Sequence, residues 1–241
     1  MIAVFKRELI GYFKNSTAYM LMGIYAFLSA LFFCFFVMMS NTSYMGNYFG
    51  LWLFIVEIIL VSILSMRFFS EEKKNKTDQL IFTSPVSLSG VVFGKFLGGM
   101  TVFTACTMIN LIYVLIIDIF STPDTGTIFT NFLGTLLLGS CMISLALFVS
   151  SLTENSIVAA GGTAGTFLLF MMVDFIASFL YALLPEWIYW FPDALRKLNI
   201  FLWYDNFAGG IITLESVVFY LSLTAVFVFL TVRVLERRRW R

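Results

Sequence analysis

Residues 15–56 contain no charged side chain. A helix needs about 20 apolar residues to cross the hydrocarbon core of a bilayer, so this stretch has room for two spans. Polar residues at 40–43, with Gly46 and Asn47 behind them, mark the turn between the spans. The whole chain has 241 residues, of which 60% are hydrophobic and 12% charged, against roughly 25% charged residues in soluble domains. The sequence therefore predicts an all-α integral membrane protein.

Apolar runs of spanning length recur along the rest of the chain. With the polar breaks as boundaries, we predict six transmembrane helices in a single domain: residues 18–39, 49–69, 91–117, 128–152, 157–184 and 216–234. Of the 15 Lys and Arg residues, all but Arg196 and Lys197 fall before the first span, around the segment between spans two and three, or at the end of the last span. The positive-inside rule assigns these basic regions to the cytoplasm, so both termini are expected there.

Residues 1–16 precede the first span. Apolar side chains recur at helical spacing, and Lys6, Arg7 and Lys14 lie on other faces; the apolar positions are Ile2, Phe5, Leu9 and Phe13. This pattern predicts an amphipathic helix in the cytoplasmic interface, with its cations toward anionic headgroups. A frayed basic tail is the alternative, because so short a helix is marginal in water.

Residues 70–87 hold a dense run of charge between spans two and three. Ser70 is a candidate N-cap, with Glu71 and Glu72 in the first turn behind it, and Pro85 ends the segment. We predict a short charged helix on the cytoplasmic side, although a solvated loop would show the same charges. Lys95, at the start of span three, is expected to extend its ammonium group toward the same interface.

Residues 185–215 separate spans five and six. Their aromatic cluster of Trp187, Tyr189, Trp190 and Phe191 is typical of a bilayer interface, and Gly209–Gly210 predicts a sharp break. We expect short helices that re-enter or lie on the outer leaflet. A plain extracellular loop is the alternative.

Enzymatic chemistry has little support in this sequence. There is no histidine, which excludes Ser-His-Asp and Cys-His nucleophiles and histidine metal sites. The three cysteines lie in apolar runs without metal-ligand spacing. A phosphate-binding loop GxxxxGK[ST] is absent, and Gly94-Lys95 is followed by Phe96 rather than a hydroxyl residue. We therefore expect no catalytic residue, cofactor, metal or nucleic-acid partner, and any nucleotide chemistry would belong to another chain.

Two glycine pairs have a spacing that lets helix backbones approach closely. Gly94 and Gly98 lie four residues apart, as do Gly161 and Gly165. The spacing predicts helix packing. It leaves open whether the neighbouring helix belongs to the same subunit or to a second copy.

Two acidic residues lie inside predicted spans, Glu57 in span two and Asp174 in span five. A charge at the centre of the membrane costs roughly 2.5–3.5 kcal/mol on insertion scales, and no basic residue is expected at the same depth to pair with either. One interpretation is that both acids line the path of a transported substrate. The other is a protonated carboxyl bonded to nearby hydroxyl or backbone groups.

The chain resembles the permease subunits of type-2 ABC transporters, most closely the gliding-motility-associated branch. The stretches that carry the resemblance extend over the whole length in order: Phe5-Lys6-Arg7-Glu8; Arg67-Phe68-Phe69-Ser70-Glu71-Glu72-Lys73 with Thr77, Leu80 and Ser84-Pro85; Gly94-Lys95; Ser150-Ser151-Leu152-Thr153-Glu154-Asn155; and Leu235-Glu236 with Arg239-Trp240. One departure is Asn75-Lys76, which stands where the family usually has a small residue or glycine before the threonine.

The resemblance implies that residues 70–87 form the coupling helix that docks on a separate ATP-binding subunit. Carried over by position, the implied contacts are Glu71, Glu72, Lys73, Thr77 and Leu80, with Thr153 and Glu154 as a second contact. It also implies two ATP-binding subunits, which hold ATP and magnesium, and a second permease, identical or a sister chain. The expected location is the bacterial cytoplasmic membrane.

These inferences together predict a permease subunit that couples ATP hydrolysis on its partner to movement of a substrate, with export favoured. Two other classes of protein are alternatives. An intramembrane enzyme would need a nucleophile and base, or a metal site, which the isolated acids do not supply. A channel or membrane scaffold that does not use ATP is the other alternative, and it would not need to co-purify with an ATPase.

Overall fold

The structure is a computed structural model that describes residues 2–14, 16–38, 53–77, 87–120, 125–185 and 188–239. Every regular element in these ranges is helical. The α-helices are α1 (Ile2–Lys14), α2 (Thr17–Phe33), α3 (Leu53–Ser65), α4 (Glu71–Lys74), α5 (Leu88–Thr107), α6 (Asn110–Phe120), α7 (Thr125–Leu152), α8 (Ser156–Leu183), α9 (Trp190–Lys197), α10 (Asp205–Ala208) and α11 (Leu214–Arg239). π-helical turns at Cys34–Met38 and Met66–Ser70 and a 3-10 turn at Leu202–Tyr204 complete the described elements.

Five segments of the described chain are long and apolar enough to cross a membrane: Leu53–Lys74, Leu88–Ile119, Thr125–Leu152, Ser156–Leu183 and Leu214–Arg238. The number becomes six if α1 and α2, which meet at an angle of 65°, are counted as one bent span. The all-helical membrane fold is thus confirmed. The predicted turn at residues 40–43 and 46–47 lies outside the described residues.

The second span does not end where the charge begins. Ser70 has helical backbone angles, its hydroxyl donates to the carbonyl of Met66 at 2.9 Å, and its side chain caps no amide. The prediction that Ser70 is an N-cap was therefore wrong. No proline or glycine occurs from Phe69 to Lys74, so the helix of span two continues through the π turn into α4.

The third predicted span is interrupted. α5 ends at Thr107 and α6 begins at Asn110, with Met108 and Ile109 in a turn between them. The side-chain Nδ2 of Asn110 donates to the hydroxyl of Tyr25 in α2 at 2.8 Å, in the buried interior. A polar side chain that is satisfied by a neighbouring helix accounts for an asparagine at this depth.

α7 is the central helix of the bundle and packs against α3, α5, α8, α10 and α11. Its middle part is buried, including Cys141, Met142 and Ile143. α8 packs against α3 and α7 on one side but exposes most of its surface, including Leu169, Phe175 and Phe179. The bundle therefore has a closed interior around α7 and an open apolar face along α8.

The region between spans five and six contains short helices rather than a plain loop. α9 packs along α8, and after the 3-10 turn α10 packs against α7. Tyr204 is fully buried, with its ring 4.8 Å from that of Phe54 and its hydroxyl 3.1 Å from that of Thr135. Gly210 has a φ of 81°, which supports the predicted break. Trp187 lies outside the described residues.

Candidate functional site

Helix α1 lies against α5 at the first glycine pair. A Cβ built at Gly94 would be 2.9 Å from the Cβ of Val4, and one built at Gly98 would be 3.1 Å from the Cβ of Glu8. Because both glycines lack a side chain, the two backbones approach closely. This pair of glycines therefore packs helices within the subunit, and it brings Glu8 to the side of α5.

Four charged side chains meet where α1, α4 and α5 converge, and they form what we term the ionic cluster: Arg7, Glu8, Glu72 and Lys95. Lys95 Nζ is 3.1 Å from Glu8 Oε1 and 3.0 Å from Glu72 Oε1. Arg7 Nη2 is 3.2 Å from each of the same two carboxylate atoms. Two cations thus face two carboxylates, so the cluster is formally neutral.

Lys95 is enclosed by this cluster. Only 1% of its side chain is exposed, because its ammonium group pairs with Glu8 and Glu72 rather than with solvent; its position relative to the membrane interface stays a prediction. Its stem is buried where α1 covers the two glycines, and the ammonium group finds its partners inside the protein. Hydropathy located Lys95 at the end of a span but carried no information about the helix that covers it.

The π turn at Met66–Ser70 is held by side chains from two other helices. A π turn shifts the helical hydrogen-bond pattern and leaves backbone groups without their usual partners. The amides of Phe69 and Ser70 donate to Ser150 Oγ in α7, at 3.0 and 3.1 Å. The carbonyl of Phe68 accepts from Lys95 Nζ at 2.8 Å. The end of span two is therefore fixed to both α5 and α7.

The residues implied to contact an ATP-binding subunit fall into two groups. Glu71, of which 46% of the side chain is exposed, pairs with Arg67 at 3.3 Å, and Thr77 is exposed at the end of the segment. Glu72 and Lys73 point inward: Glu72 joins the ionic cluster, and Lys73 Nζ donates to the carbonyl of Ser151. Leu80 lies outside the described residues.

The turn that ends α4 places Lys76 in an unusual backbone conformation. Thr77 N donates to Glu72 O at 2.9 Å and Lys76 N donates to Lys73 O at 3.0 Å, which is the hydrogen-bond pattern of a Schellman motif. Lys76 occupies the left-handed position of that motif, with a φ of 56°. Glycine is favoured there because it carries no Cβ, so Lys76 holds a position of backbone strain.

The turn between α7 and α8 lies at the same end of the bundle. Asn155 Oδ1 accepts from the amide of Ile157 at 2.9 Å and caps α8, while Thr153 Oγ1 accepts from the amide of Asn155 at 3.0 Å. Glu154 is 71% exposed and lies 3.5 Å from Arg238, near the end of α11. The charged segment after span two, this turn and both chain ends are therefore neighbours.

An open cleft of about 250 Å³ lies between α1 and the segment that follows span two. Two arginines and three glutamates line the cleft, so its surface carries charges of both signs. The lining residues are Arg7, Glu8, Gly11, Tyr12, Arg67, Glu71, Glu72, Asn75 and Thr77. A surface of mixed charge next to a membrane suits a protein partner with complementary charges.

Glu57 is completely buried in α3. Neither of its carboxylate oxygens has a hydrogen-bond partner among the described residues. The interpretation of a carboxyl bonded to nearby hydroxyl or backbone groups therefore does not describe this structure. One turn earlier in α3, the ring of Phe54 packs against that of Tyr204 in the 3-10 turn, with the ring centroids 4.8 Å apart.

Asp174 has a basic partner, contrary to the expectation from the sequence. Its Oδ1 is 3.6 Å from Arg196 Nε, and its Oδ2 accepts from Asn199 Nδ2 at 2.8 Å. The pair forms because α9 folds back along α8. Partial burial, together with the Asp174 carboxylate, raises the pKa of nearby Asp205 above its usual value. In the described part of the chain, no three Cys, Asp or Glu side chains could together hold a metal ion.

The fold defines a class of protein: a multi-pass membrane protein whose helices gather a charged segment, a short turn and both chain ends at one end of the bundle. Residues 39–232 match the family described as ABC-2 family transporter protein, and the chain belongs to that family. It is thus an ABC transporter permease, a membrane subunit of a kind that usually pairs with an ATP-binding subunit. No curated protein matches the sequence.

The ionic cluster could not be predicted from the charge pattern alone. Its members were all present in the stretches that carry the family resemblance, Arg7 and Glu8 before span one and Lys95 after Gly94. The sequence pattern instead directs the cations of α1 toward lipid headgroups and Glu72 toward a partner subunit. A usable signal was the glycine pair beside Lys95, because a close helix contact next to a lysine requires that the approaching helix bring an acceptor.

Proposed function

We propose that this permease couples ATP hydrolysis on two copies of a separate ATP-binding subunit to export of a substrate across the bacterial cytoplasmic membrane. In this proposal, ATP and magnesium bind to the partner and not to this chain. The observation that carries the proposal is the exposed polar surface of Glu71 and Thr77 along the open cleft, with Glu154 exposed in the turn between α7 and α8. This surface is attached to the spans by buried ionic and hydrogen-bond contacts.

The mechanism follows from the way that the charged segment is attached. α4 is the direct continuation of span two, and its base is bonded to α5 through Lys95 and to α7 through Ser150. When the ATP-binding subunits close, a force on Glu71 and Thr77 would move the inner end of three helices together. Rigid helices transmit such a displacement across the membrane, where it opens or closes a path for the substrate.

The two adjacent carboxylates permit a sharp test. Glu71→Lys reverses an exposed charge and places it four residues from Arg67, a like-charge pair that costs about 0.2–0.5 kcal/mol, so the subunit should still fold. We expect the variant to lose an ATPase that co-purifies with the wild-type protein. Glu215→Lys, at an exposed carboxylate at the start of α11, is the matched control. Retention of the ATPase by Glu71→Lys would contradict the docking role.

Glu72→Lys is expected to behave differently, although it changes the neighbouring residue. It would place a second cation beside the buried Lys95, and breaking a buried ion pair costs about 3–5 kcal/mol. We therefore expect reduced folding yield rather than selective loss of the partner. A well-folded Glu72→Lys protein that merely lacks the ATPase would assign Glu72 to docking.

Orientation is the second element of the proposal. Asn75 is exposed beyond α4. A cysteine placed there should react with a membrane-impermeant maleimide only after the cells are permeabilised, because the segment is expected in the cytoplasm. Labelling from the outside of intact cells would exclude contact with a cytoplasmic ATPase. The test is independent of the identity of the substrate.

We further propose that a second permease, identical or a sister chain, packs against α8. A Cβ built at Gly161 or Gly165 would meet nothing within 4 Å, and the large apolar side chains around this pair are exposed. Disulfide formation between cysteines placed at Gly161 in two copies would support this contact.

Glu57 and Asp174 are proposed to line the substrate path. This predicts that Glu57→Gln alters transport without loss of ATP hydrolysis by the complex.

A further inference from the structure

Lys95 binds one acceptor from each of three elements. Its Nζ lies 3.1 Å from Glu8 Oε1 in α1, 2.8 Å from Phe68 O in the π turn, and 3.0 Å from Glu72 Oε1 in α4. An ammonium group has three N–H donors, so these acceptors use its full hydrogen-bonding capacity. Two of the acceptors are carboxylates, and the third is a backbone carbonyl of the π turn.

We propose that Lys95 is a positioning residue that joins α1, the π turn and α4 into one rigid body. Under the proposed function, on which this inference rests, a force applied to α4 would then move α1 by the same amount. Helix α1 would be a second arm of the coupling element, lying along the membrane interface.

The arrangement of charges favours this role over simple stabilisation of span three. Two carboxylates that approach the same ammonium from different helices repel each other once the ammonium is removed. Loss of Lys95 would therefore separate α1 from α4 and leave the path of α5 unchanged, because Val92 and Val102 hold α5 in the apolar core. Arg7 bridges the same carboxylates but is 57% exposed, so its contribution is weakened by solvent.

The first test measures the distance between α1 and α4 directly. Spin labels are attached to cysteines at Lys14 and Lys74, both exposed, in a chain whose own cysteines are replaced by alanine. In lipid nanodiscs the distance distribution should be narrow for the parent chain and at least twice as wide for Lys95→Met. Lys6→Met, which removes an exposed cation of α1, is the matched control and should leave the distribution narrow.

The second test adds the co-purified ATPase. Trapping the complex with ATP and vanadate should move the labels on α1 and α4 together in the parent chain, so that their mutual distance stays constant. In Lys95→Met, α4 should still respond to trapping, whereas α1 should not move with it. A residue that served only for stability would change protein yield without this separation of the two helices.

If Lys95→Met folds poorly, Glu8→Gln provides a second test of the link between Lys95 and α1. This variant removes the charge on α1 and keeps the contacts of Lys95 with Phe68 and Glu72, and we expect at least tenfold faster amide exchange in α1. A narrow label distribution in both variants, or joint movement of the helices in Lys95→Met, would overturn the proposal. If no ATPase binds, the proposed function fails, whereas the label distances in the subunit alone still decide the role of Lys95.

Discussion

Alanine at Gly94 and Gly98 adds two methyl groups to the contact between α1 and α5. The new Cβ at position 94 would lie 2.9 Å from the Cβ of Val4 and 3.2 Å from the backbone nitrogen of Phe5. Neither atom belongs to the flexible end of a side chain, so rotation of a side chain cannot relieve the overlap. Helix α1 as a whole must move away from α5.

The size of the effect follows from two opposing contributions. Forcing an extra methyl group into a packed contact costs about 1–3 kcal/mol at each site, whereas alanine in place of glycine within a helix gains about 0.8–1.0 kcal/mol per residue. Because the displaced α1 also carries Glu8 away from Lys95, we expect a net loss of about 1–3 kcal/mol for the double variant. A loss in the middle of this range corresponds to at least tenfold faster hydrogen exchange of α1 amides.

The chain supplies its own control for this experiment. Gly161 and Gly165 have the same spacing, yet a Cβ at either position meets no atom within 4 Å. Alanine at both should leave exchange in α1 unchanged, because neither new Cβ would contact that helix. Hydrogen exchange with mass spectrometry, on protein in lipid nanodiscs, reads both helices in one measurement. Equal effects of the two double variants on α1 would refute the assignment of Gly94 and Gly98 to this contact.

Two further pairs of variants test the segment after span two. Lys76→Gly should slow hydrogen exchange of the Thr77 amide about fivefold or more, because a non-glycine residue in the left-handed region costs about 1–2 kcal/mol. Asn75→Gly, at a φ of −88°, should speed that exchange. The same response to both variants would contradict the Schellman assignment. Ser150→Ala should lower the free energy of unfolding by about 2–4 kcal/mol in a detergent titration, because two buried amides lose their acceptor. Ser151→Ala removes a hydroxyl that donates to Phe148 O in its own helix and should cost less than about 1 kcal/mol; equal losses would argue against the role of Ser150.

The positions of the long helices were predictable because local chemistry sets them. α8 starts at Ser156, directly after Asn155, whose side chain caps the helix, and the sequence places a polar break at the same point. The boundary at Ser70 failed for a different reason. Polarity changes there, but Glu71 and Lys74 are good helix formers and no breaking residue intervenes, so the helix continues. A change of solvent exposure alone does not end a helix.

The contacts of individual charges were not predictable from a linear sequence. Lys95 and Glu8 are far apart in the chain, and their pairing depends on how α1 crosses α5 at two glycines. Asp174 and Arg196 meet because α9 turns back along α8, a reversal that hydropathy does not record. Depth in the membrane can be read from position along a span. The face on which a side chain lies depends on tertiary packing.

The distribution of charge gives a physical reason for the proposed coupling. A chain with so few charged residues places Arg7, Glu8, Glu72 and Lys95 in one neutral group, where each charge has an opposite partner within 3.2 Å. A neutral group in the interface is little affected by the ionic strength of the cytoplasm, since its charges are matched at short range and partly buried. Glu71, in contrast, remains exposed and sensitive to salt. Attachment to the spans should therefore survive high salt, while binding of a partner at Glu71 should weaken, and this difference separates the two kinds of contact in one titration.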